Sequence, residues 1–526
     1  MQPSRALASN ECPAPHAPRR RFWAALAALT LAGLALRLWN IDYGIPAIYH
    51  PDEFKKFAII DRIVRGLPLD YSIMPLIHPG CMVNVTAGVV AVAEPLGLPH
   101  RSRQIVLCGR YVSAVFSAAT IIVTGLLGAA LFGRRAGLLA AAIVAASPLC
   151  TVHGRYLKED SFQTLFTTAC VLGAAWWLAG TAARRRGGLV LCAATAGFAA
   201  ATKYVGLMFP ILIAVFMAMG RRSRRGEIAF FILVALACFS AGSKQLVFHP
   251  REGLEQINLA LSRGSQSSDG DAPLKIHQWP DLGTHFLTHG INLGLGWPLT
   301  LAALAGVGGA FRKRAAPAVR LTALAAAGWY LLTELTPLKR FPDAERYILP
   351  CVPLLAVLAA GWLGRLRRFR EVALCAAWAL TIALAVHSAA IARQLKPDTR
   401  EQAANWLFNE QMRRQPRPVA YIKSSLNYMP SRELMPGVEW IGIPIVLSQL
   451  RFDMGPAAKA DILVLSHFST DRYECYPSLS GQTVDDLNTL RSEFPYVRIF
   501  KKPRYARAGY HNPVIEVRFR HDFDRK

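Results

Sequence analysis

Long runs of apolar residues alternate with short polar segments along most of the chain. A membrane-spanning helix needs about 20 mostly apolar residues, so the pattern predicts about eleven crossings. The runs that carry this prediction are 22–39, 106–132, 136–152, 161–183, 188–202, 204–220, 227–248, 288–311, 318–336, 346–364 and 371–392. Several are short and lie close to glycine or proline, as expected where helices break around a buried site.

A further run, 81–98, is short and contains Asn84, Thr86, Glu94 and Pro95. Basic loops favour the cytoplasmic side of a membrane, so their positions decide whether this run crosses. If it does not cross, and the arginines at 19–21 are cytoplasmic, every basic cluster falls inside. Those clusters are 134–135, 184–186, 221–225, 312–314 and 365–370. We therefore predict that 81–98 is an interfacial helix on the outer face.

The N-terminal run, 22–39, is long enough to span, and no small-residue cleavage site follows it. It is interpreted as an uncleaved first helix rather than a signal peptide. From about Lys396 the pattern changes to a helix at 401–410 and short strands at 419–423, 461–466 and 514–519.

These patterns define three regions. We predict a cytoplasmic tail at 1–21, a transmembrane domain at 22–395 and an extracytoplasmic α/β domain at 396–526. The first outer loop is 40–105 and contains the adjacent acids Asp52 and Glu53. The segments that face the outer side in this topology are 42–80, 155–160, Lys203, 249–287, 336–346 and the C-terminal part.

Composition supports a membrane protein and excludes a soluble one. Hydrophobic residues make up 53% of the chain and charged residues 18%, and the mean hydropathy is +0.26. The net charge of +26 comes from clusters between apolar runs, so it indicates topology and not a nucleic-acid partner. Most of the ten cysteines lie inside apolar runs and no CxxC pair occurs, which argues against a disulfide framework or a structural zinc site.

The segment Tyr49-His50-Pro51-Asp52-Glu53 follows the first apolar run. Two adjacent carboxylates at a membrane surface can include a general base, because a like charge and partial burial raise a carboxyl pKa. Proline followed by two acids is equally typical of the first turn of a helix. Both interpretations stay open at this point.

Basic residues in the outer segments are candidates for binding an anion. Lys203 lies between two apolar runs, where it either contacts a phosphate or extends its ammonium group to the headgroups. Arg155 precedes Lys158 and Asp160, and Asp160 could instead simply begin the next helix. Further basic candidates are Arg110, Arg340 and Arg346, the last followed by Tyr347.

Metal and nucleotide sites have weaker support. His249, His277, His285 and His289 share one loop but do not have zinc-ligand spacing. A single carboxylate pair without a further acidic cluster does not favour an obligatory divalent ion, so no cofactor is expected. No GxGxxG follows a predicted strand, which argues against a nucleotide-sugar donor.

The order of these motifs resembles a known family. The motifs are Pro51-Asp52-Glu53, His78-Pro79, Gly109-Arg110-Tyr-Val-Ser, 133–148, Arg155 to Asp160, Thr202-Lys203-Tyr204 and Arg346 to Pro353. Over 37–395 the chain is similar to the C-type glycosyltransferases that use polyprenyl-phosphate sugars. The nearest resemblance is to the protein O-mannosyltransferase-like family 39 and to the lipid A aminoarabinose transferases.

The resemblance implies an inverting sugar transfer on the outer side of a bacterial inner membrane. Asp52, with Glu53 beside it, would be the catalytic base. Cations would stabilise the departing lipid phosphate. The residues implied for that clamp are Lys203, Arg155 and Arg346, followed by Arg340 and Arg110, with Asp160, His78 and Tyr347 in support. The acceptor could be a glycolipid, a polysaccharide or a protein, and mannose, arabinose derivatives and glucose all stay open.

Two other classes of protein compete with this interpretation. A transporter or flippase of a lipid-linked or anionic solute also needs cations in a helical bundle, but it would place them near the midplane and show repeat symmetry. A non-catalytic envelope protein would use only its C-terminal module to bind a partner. In both cases the pattern at Asp52 and Lys203 would be incidental.

Overall fold

The structure, a computed structural model, describes residues 19–69, 78–96, 102–219, 225–255, 258, 282–335, 344–366, 369–412, 417–423, 426–446, 451–474, 481–507 and 509–522. The helices of the first half are α1 (Arg19–Leu38), α2 (Pro51–Val64), α3 (Cys81–Ala93), α4 (Ser102–Phe132), α5 (Arg134–Ala146), α6 (Pro148–His153), α7 (Asp160–Ala179), α8 (Ala182–Thr202), α9 (Met208–Met219), α10 (Arg225–Gly242) and α11 (Lys244–Phe248). The helices that follow are α12 (Asn292–Leu295), α13 (Trp297–Ala310), α14 (Pro317–Glu334), α15 (Cys351–Leu363), α16 (Arg370–Arg393) and α17 (Thr399–Trp406).

Each of the apolar runs in the sequence contains helix, as the pattern predicts. Within the described ranges, five helices are long and apolar enough to cross a membrane, and a bent pair, Phe286–Leu295 with Trp297–Ala310, makes six if it counts as one span. The five are Arg20–Leu38, Arg103–Phe132, Asp160–Ala179, Arg225–Gly242 and Arg370–Arg393. The chain is a multi-pass membrane protein, and the number of eleven crossings stays a prediction.

Neighbouring helices approach closely where small residues face each other. A Cβ built on Gly137 in α5 would lie 2.4 Å from the carbonyl oxygen of Gly125 in α4. A Cβ on Gly173 in α7 would lie 2.5 Å from the backbone nitrogen of Cys192 in α8. Backbone contact of this kind gives helices in lipid the van der Waals packing that replaces a hydrophobic driving force.

The run 81–98 forms α3 and a 3₁₀ turn at Glu94–Leu96. Met82, Val83 and Val90 are buried in a cluster that also contains Ile59 and Ile60 of α2. One face of α3 therefore packs on the rest of the protein. Its predicted location at the membrane surface is not tested by this packing.

The C-terminal residues form a mixed sheet with helices on both faces. Its elements are β1 (Val419–Ile422), β2 (Trp440–Ile443), β5 (Ile462–Ser466), β6 (Tyr496–Phe500) and β7 (Ile515–Phe519), in the order β2-β1-β5-β7-β6, with a separate pair of β3 (Ile445–Val446) and β4 (Arg451–Phe452). Strand β1 is parallel to β2 and β5, and β7 is antiparallel to β5 and β6. The helices α18 (His467–Glu474) and α19 (Thr483–Glu493) lie between β5 and β6 in the chain.

Alternate residues of β1 and β5 are buried on opposite faces of this sheet. Val419 and Val464 pack in a cluster with Ala403 of α17, and Ala420 and Leu463 pack in a second cluster with helix α19. Because side chains of a strand alternate between faces, short apolar strands of this kind are covered on both sides.

Candidate active site

Asp52 is positioned at the beginning of α2. Pro51 occupies the first helical position, and the backbone N–H of Asp52 donates to Nδ1 of His50 at 3.1 Å. The acidic pair therefore does begin a helix, where the positive end of the helix dipole favours its negative charge. The helix-start interpretation of the sequence does not compete with a chemical role, since the same residues also face other charged groups.

The loop before α2 contains a residue in an unfavourable backbone conformation. Ile48 has a φ of 49°, which is an outlier for a β-branched residue. Its carbonyl accepts a hydrogen bond of 2.6 Å from Nδ2 of Asn427, which follows strand β1. Conformations of this kind cost about 1–3 kcal/mol and persist where the surroundings enforce them, often at functional sites.

The Asp52 carboxylate lies between two cations. One oxygen is 2.8 Å from Nζ of Lys158 and 3.8 Å from Nη2 of Arg346, and about a third of the side chain is exposed. Desolvation would raise the pKa of Asp52, but the charges of Lys158, His50 and Arg346 outweigh it and hold this pKa well below its usual range. Asp52 is therefore an ionised, accessible hydrogen-bond acceptor.

The neighbouring acid is in a different environment. Glu53 is fully buried, and its two oxygens accept from Arg110 at 2.8 and 2.7 Å and from the backbone N–H of Leu157 at 2.9 Å. The charge of Arg110 overcomes the desolvation of Glu53 and lowers its pKa. Glu53 thus joins α2 to α4 and to the loop before α7, and the structure does not place it beside Asp52 in the cation cluster.

A second group of ion pairs continues from Arg346. Its Nε lies 4.0 Å from Oδ2 of Asp160, whose Oδ1 is paired with Nζ of Lys203. Lys56, one turn after Asp52 on α2, is paired with Glu159. Burial of Glu159 would raise its pKa, but the nearby positive charges, that of Lys56 foremost, lower it to about 2. Chain segments that are far apart in the sequence therefore form one charged cluster.

Counted over the residues that the structure describes, this cluster has an excess of positive charge. Lys56, Lys158, Lys203 and Arg346 give four positive charges, and Asp52, Glu159 and Asp160 give three negative charges, which leaves a net charge of one. His78 adds none, because burial lowers its pKa to about 3. A bound phosphate would compensate the excess.

Tyr347 lies against two of these cations. The centre of its ring is 5.7 Å from Nζ of Lys203 and 4.8 Å from the guanidinium carbon of Arg346, and its hydroxyl accepts from Nη2 of Arg346 at 3.2 Å. Cation–π contacts of this kind hold long flexible side chains in place. The supporting role of Tyr347 in phosphate binding stays a prediction.

The structure does not bring every predicted cation to the cluster. Arg110 donates to Glu53 and to the carbonyls of Ile41 and Tyr43. Arg155 is fully buried and donates to the carbonyl of Leu36, and burial lowers its pKa to about 10. Both arginines thus hold the loops around the site, and Arg340 lies outside the described residues.

Three further residues were not singled out from the sequence. Lys158 and Lys56 contact the acids directly, whereas the adjacent Lys55 is exposed, and only burial distinguishes the two neighbours. Gln163, one turn after Asp160, is buried, and its amide has no hydrogen-bond partner within the part of the chain that the structure describes. The helical spacing from Asp52 to Lys56 and from Asp160 to Gln163 is the one signal that the sequence offered.

The segment between strands β6 and β7 packs against the loop that carries Asp52. The hydroxyl of Tyr156 contacts Nε2 of His511 at 3.1 Å and accepts from the backbone N–H of Tyr510 at 3.0 Å. The centre of the His50 ring lies 4.5 Å from the ring centre of Tyr156 and 4.3 Å from the ring centre of Tyr510. The cap of α2 is thereby held by residues of the loop before α7 and of the segment between β6 and β7.

Within the described residues, no group of three or more His, Cys, Asp or Glu side chains has the geometry of a metal site. His285 and His289, two of the loop histidines, stack at 4.8 Å in a helical turn. His277 lies outside the described residues.

Comparison with known proteins points to one fold. The model of the dolichyl-phosphate-mannose-protein mannosyltransferase family matches residues 106–242, roughly a quarter of the chain. This match includes Lys158, Asp160 and Lys203 but not Asp52 or Arg346. No curated protein sequence matches the chain significantly.

Solved structures match over nearly the whole chain. ArnT from Cupriavidus metallidurans in the apo state is 15% identical, with a TM-score of 0.53, and the match covers 94% of this chain and 98% of that one. The same protein bound to undecaprenyl phosphate gives a TM-score of 0.51, and the match covers 96% of this chain and 98% of that one.

An archaeal oligosaccharyltransferase from Archaeoglobus fulgidus, tethered to an acceptor peptide, is 12% identical, with a TM-score of 0.56 over 95% of this chain and 74% of that one. These likenesses show that the chain has the C-type glycosyltransferase fold that its motifs resemble.

Proposed function

We propose that this chain is a membrane glycosyltransferase that moves a sugar from a polyprenyl-phosphate carrier to an acceptor on the outer side of the cytoplasmic membrane, with inversion. The acceptor class is a glycolipid, a polysaccharide or a protein. The observation that carries the proposal is the contact of one accessible carboxylate, Asp52, with the cations Lys158 and Arg346 in a cluster that has a positive excess.

The cations meet the charge that develops on the leaving group. When the bond between the anomeric carbon and the phosphate oxygen breaks, its electron pair goes to the phosphate, whose negative charge rises. Fixed cations stabilise that charge more in the transition state than in the ground state. Arg346 and Lys203 are held by Tyr347 for this role, and the phosphate competes with Asp160 for them.

Asp52 handles the acceptor. Its low pKa keeps it ionised at neutral pH, so it can accept a hydrogen bond from the acceptor hydroxyl and orient the oxygen toward the anomeric carbon. The hydroxyl proton becomes acidic as the new carbon–oxygen bond forms, and it then passes to the carboxylate. In this scheme side-chain cations, rather than a divalent metal ion, neutralise the phosphate.

The fold supports a lipid-linked donor. One matched structure, ArnT, holds undecaprenyl phosphate, and another, the archaeal oligosaccharyltransferase AglB, holds a dolichol-phosphate and an inhibitory peptide. In this proposal the carrier tail lies in the bilayer beside the apolar helices, while its phosphate meets the cations at the helix ends.

The substitution Asp52→Asn tests the proposal. We expect transfer from a polyprenyl-phosphate sugar to fall about 10²- to 10⁴-fold, because the amide cannot take the proton, while the carrier phosphate still binds. The measurement is the rate of sugar transfer in membranes containing the donor, with and without EDTA, together with direct binding of polyprenyl phosphate.

Asp61→Asn is the matched control, since Asp61 is on the same helix and pairs with the exposed Arg65. It should keep full activity. Equal rates for Asp52→Asn and the unmodified protein would refute the catalytic role. If the unmodified protein moved the lipid-linked sugar across the membrane without transferring it to an acceptor, it would be a transporter.

A further inference from the structure

A concave basic surface lies far from the candidate active site. A cavity of about 870 Å³ opens between the loop after α13 and the loop after α15. It is lined by the basic residues Arg312, Lys313, Arg314, Arg365 and Arg370 and by Gly309, Ala315 and Gly364. None of these lining residues is acidic; the exposed Glu371 lies 4.0 Å from Arg370. We call this surface the basic cavity.

The basic cavity is at the opposite end of the bundle from Arg346. Helix α15 begins at Cys351, just after Arg346, and ends at Leu363, beside the cavity residue Gly364. With a rise of about 1.5 Å per residue, this helix separates the two sites by roughly 20 Å. Phosphate bound in the basic cavity would therefore not reach the cation cluster of the candidate active site.

Contacts hold several of its cations in place. The guanidinium carbon of Arg312 lies 5.7 Å from the ring centre of Trp362, and that of Arg365 lies 5.1 Å from the ring centre of Phe132. Nη2 of Arg320 donates to the carbonyls of Arg312 and Lys313 at 3.1 and 2.9 Å, which fixes the loop between α13 and α14. The ring contacts restrict the guanidinium groups of Arg312 and Arg365.

Exposed apolar side chains flank the charges. Phe311 and Phe369, each next to a lining residue, are more than half exposed. Val372 on α16 and Leu304 on α13 are also exposed, further along the helices that lead to the basic cavity. A ligand that fits this arrangement has a phosphate at one end and hydrocarbon at the other. The two donor groups of a guanidinium bind phosphate oxygens, and exposed apolar side chains bind acyl chains.

We propose that the basic cavity binds the headgroup phosphate of an anionic phospholipid, in the leaflet opposite the candidate active site. Basic cavities between helices at the membrane surface are suited to such headgroups. Arg312 and Arg365 supply the phosphate contact, and the exposed Phe311 and Phe369 lie against the glycerol and acyl region. The inference does not depend on the proposed transferase activity.

Native mass spectrometry of the full-length protein, titrated with phosphatidylglycerol or with phosphatidylcholine of the same chains, tests this inference. We expect the unmodified protein to retain phosphatidylglycerol about tenfold better than phosphatidylcholine. The double substitution Arg312→Gln and Arg365→Gln should abolish most of that preference.

Arg184→Gln with Arg186→Gln is the matched control. This pair removes the same charge, both residues are exposed on the same predicted face, and Arg184 also stacks on an aromatic ring, that of Trp176, at 5.3 Å. The control should keep the preference. Equal losses in both pairs, or no preference in the unmodified protein, would overturn the proposal in favour of general surface charge.

Two further arms separate the remaining outcomes. Soluble glycerol phosphate should not displace the lipid, and displacement at equal phosphate concentration would make this a site for a free anion. If the variant with both glutamine substitutions does not fold, Arg312→Lys with Arg365→Lys replaces it. The lysines keep the positive charge but cannot form the two parallel hydrogen bonds of a guanidinium or stack on the rings. That pair should lower lipid retention at least about threefold, and unchanged retention would contradict the proposal.

Discussion

Adjacent residues have different environments at this site, and burial explains the difference. Asp52 is partly exposed and faces Lys158, while Glu53 is fully buried against Arg110. Lys56 is paired with Glu159, while Lys55 faces outward. On a helix, neighbours in the sequence point about 100° apart, so one faces the site and the next does not.

The charge of Lys158 controls the titration of Asp52. Because Lys158 helps to hold the pKa of Asp52 well below its usual range, Asp52 stays ionised across the neutral range and does not limit activity there. Replacing Lys158 with Met removes that charge and raises the pKa of Asp52. The acid limb of the transfer rate should therefore move to higher pH, which a pH profile of transfer measures.

The control for this profile is Lys55→Met, which removes an exposed lysine from the same helix. Its acid limb should stay where it is in the unmodified protein. A Lys158→Met profile that differs only in height, with the same midpoint, would mean that Asp52 is not the titrating group.

Among the secondary-structure elements, two helix beginnings supply the acids of the site. Asp52 lies in the first turn of α2, and Asp160 is the first residue of α7. Positive helix ends stabilise both carboxylates, which then hold Lys158 and Lys203 in position. The first turns of these two helices thus determine where the cations lie.

The cap of α2 depends on contacts made by the C-terminal segment. Tyr156→Phe removes the hydroxyl that accepts from the buried N–H of Tyr510 and contacts His511. An unsatisfied buried donor costs about 1–3 kcal/mol, so the midpoint of thermal unfolding should fall. Transfer should also slow, because His50 packs on Tyr510 and caps the helix of Asp52.

Tyr496→Phe is the control for this change, since Tyr496 is exposed on strand β6. It should leave both the unfolding midpoint and the rate unchanged. A Tyr156→Phe protein with normal stability and normal transfer would show that the C-terminal contact does not position the loop.

On the scale of the whole molecule, a buried arginine beside the C-terminal sheet contacts the first loop of the chain. Arg400 and Asp398 are fully buried and paired at 2.8 Å, and the guanidinium of Arg400 lies 4.0 Å from the ring centre of Tyr49 in the first outer loop. Burial opposes the charge of Arg400, but Asp398 raises its pKa above the usual value. Asp398 thus holds Arg400 in place, and Arg400 in turn contacts the loop that carries Asp52.

Arg400→Leu should destabilise the protein strongly. It leaves the buried charge of Asp398 without its partner, and breaking a buried pair in this way costs about 3–5 kcal/mol. The midpoint of thermal unfolding in detergent measures the loss. Arg498→Leu is the control, because Arg498 also stacks on a ring, that of Trp406 at 4.5 Å, but is exposed. A similar midpoint for the two variants would contradict the structural role of the buried pair.

The sequence contained much of the fold. Apolar runs longer than a turn or two form helices in lipid because every backbone polar group must be satisfied within the segment, and each of the predicted runs contains helix. The short apolar segments at 419–423 and 461–466 and the alternating segment at 514–519 correspond to strands β1, β5 and β7, because strand patterns are also local. The residue types at Asp52, Lys203 and Arg346 were also identifiable, since ionisable groups beside membrane spans are rarely incidental.

What the sequence by itself determined is therefore where helices form and which chemical groups lie between them, because both depend on local pattern. Only the tertiary structure decided which acid meets which cation. It paired Glu53 with Arg110, placed Arg155 against α1 instead of the cluster, and brought Lys158 to Asp52. Burial and ion pairing arise from contacts between segments far apart in the chain, and the spacing of residues along one segment does not specify them.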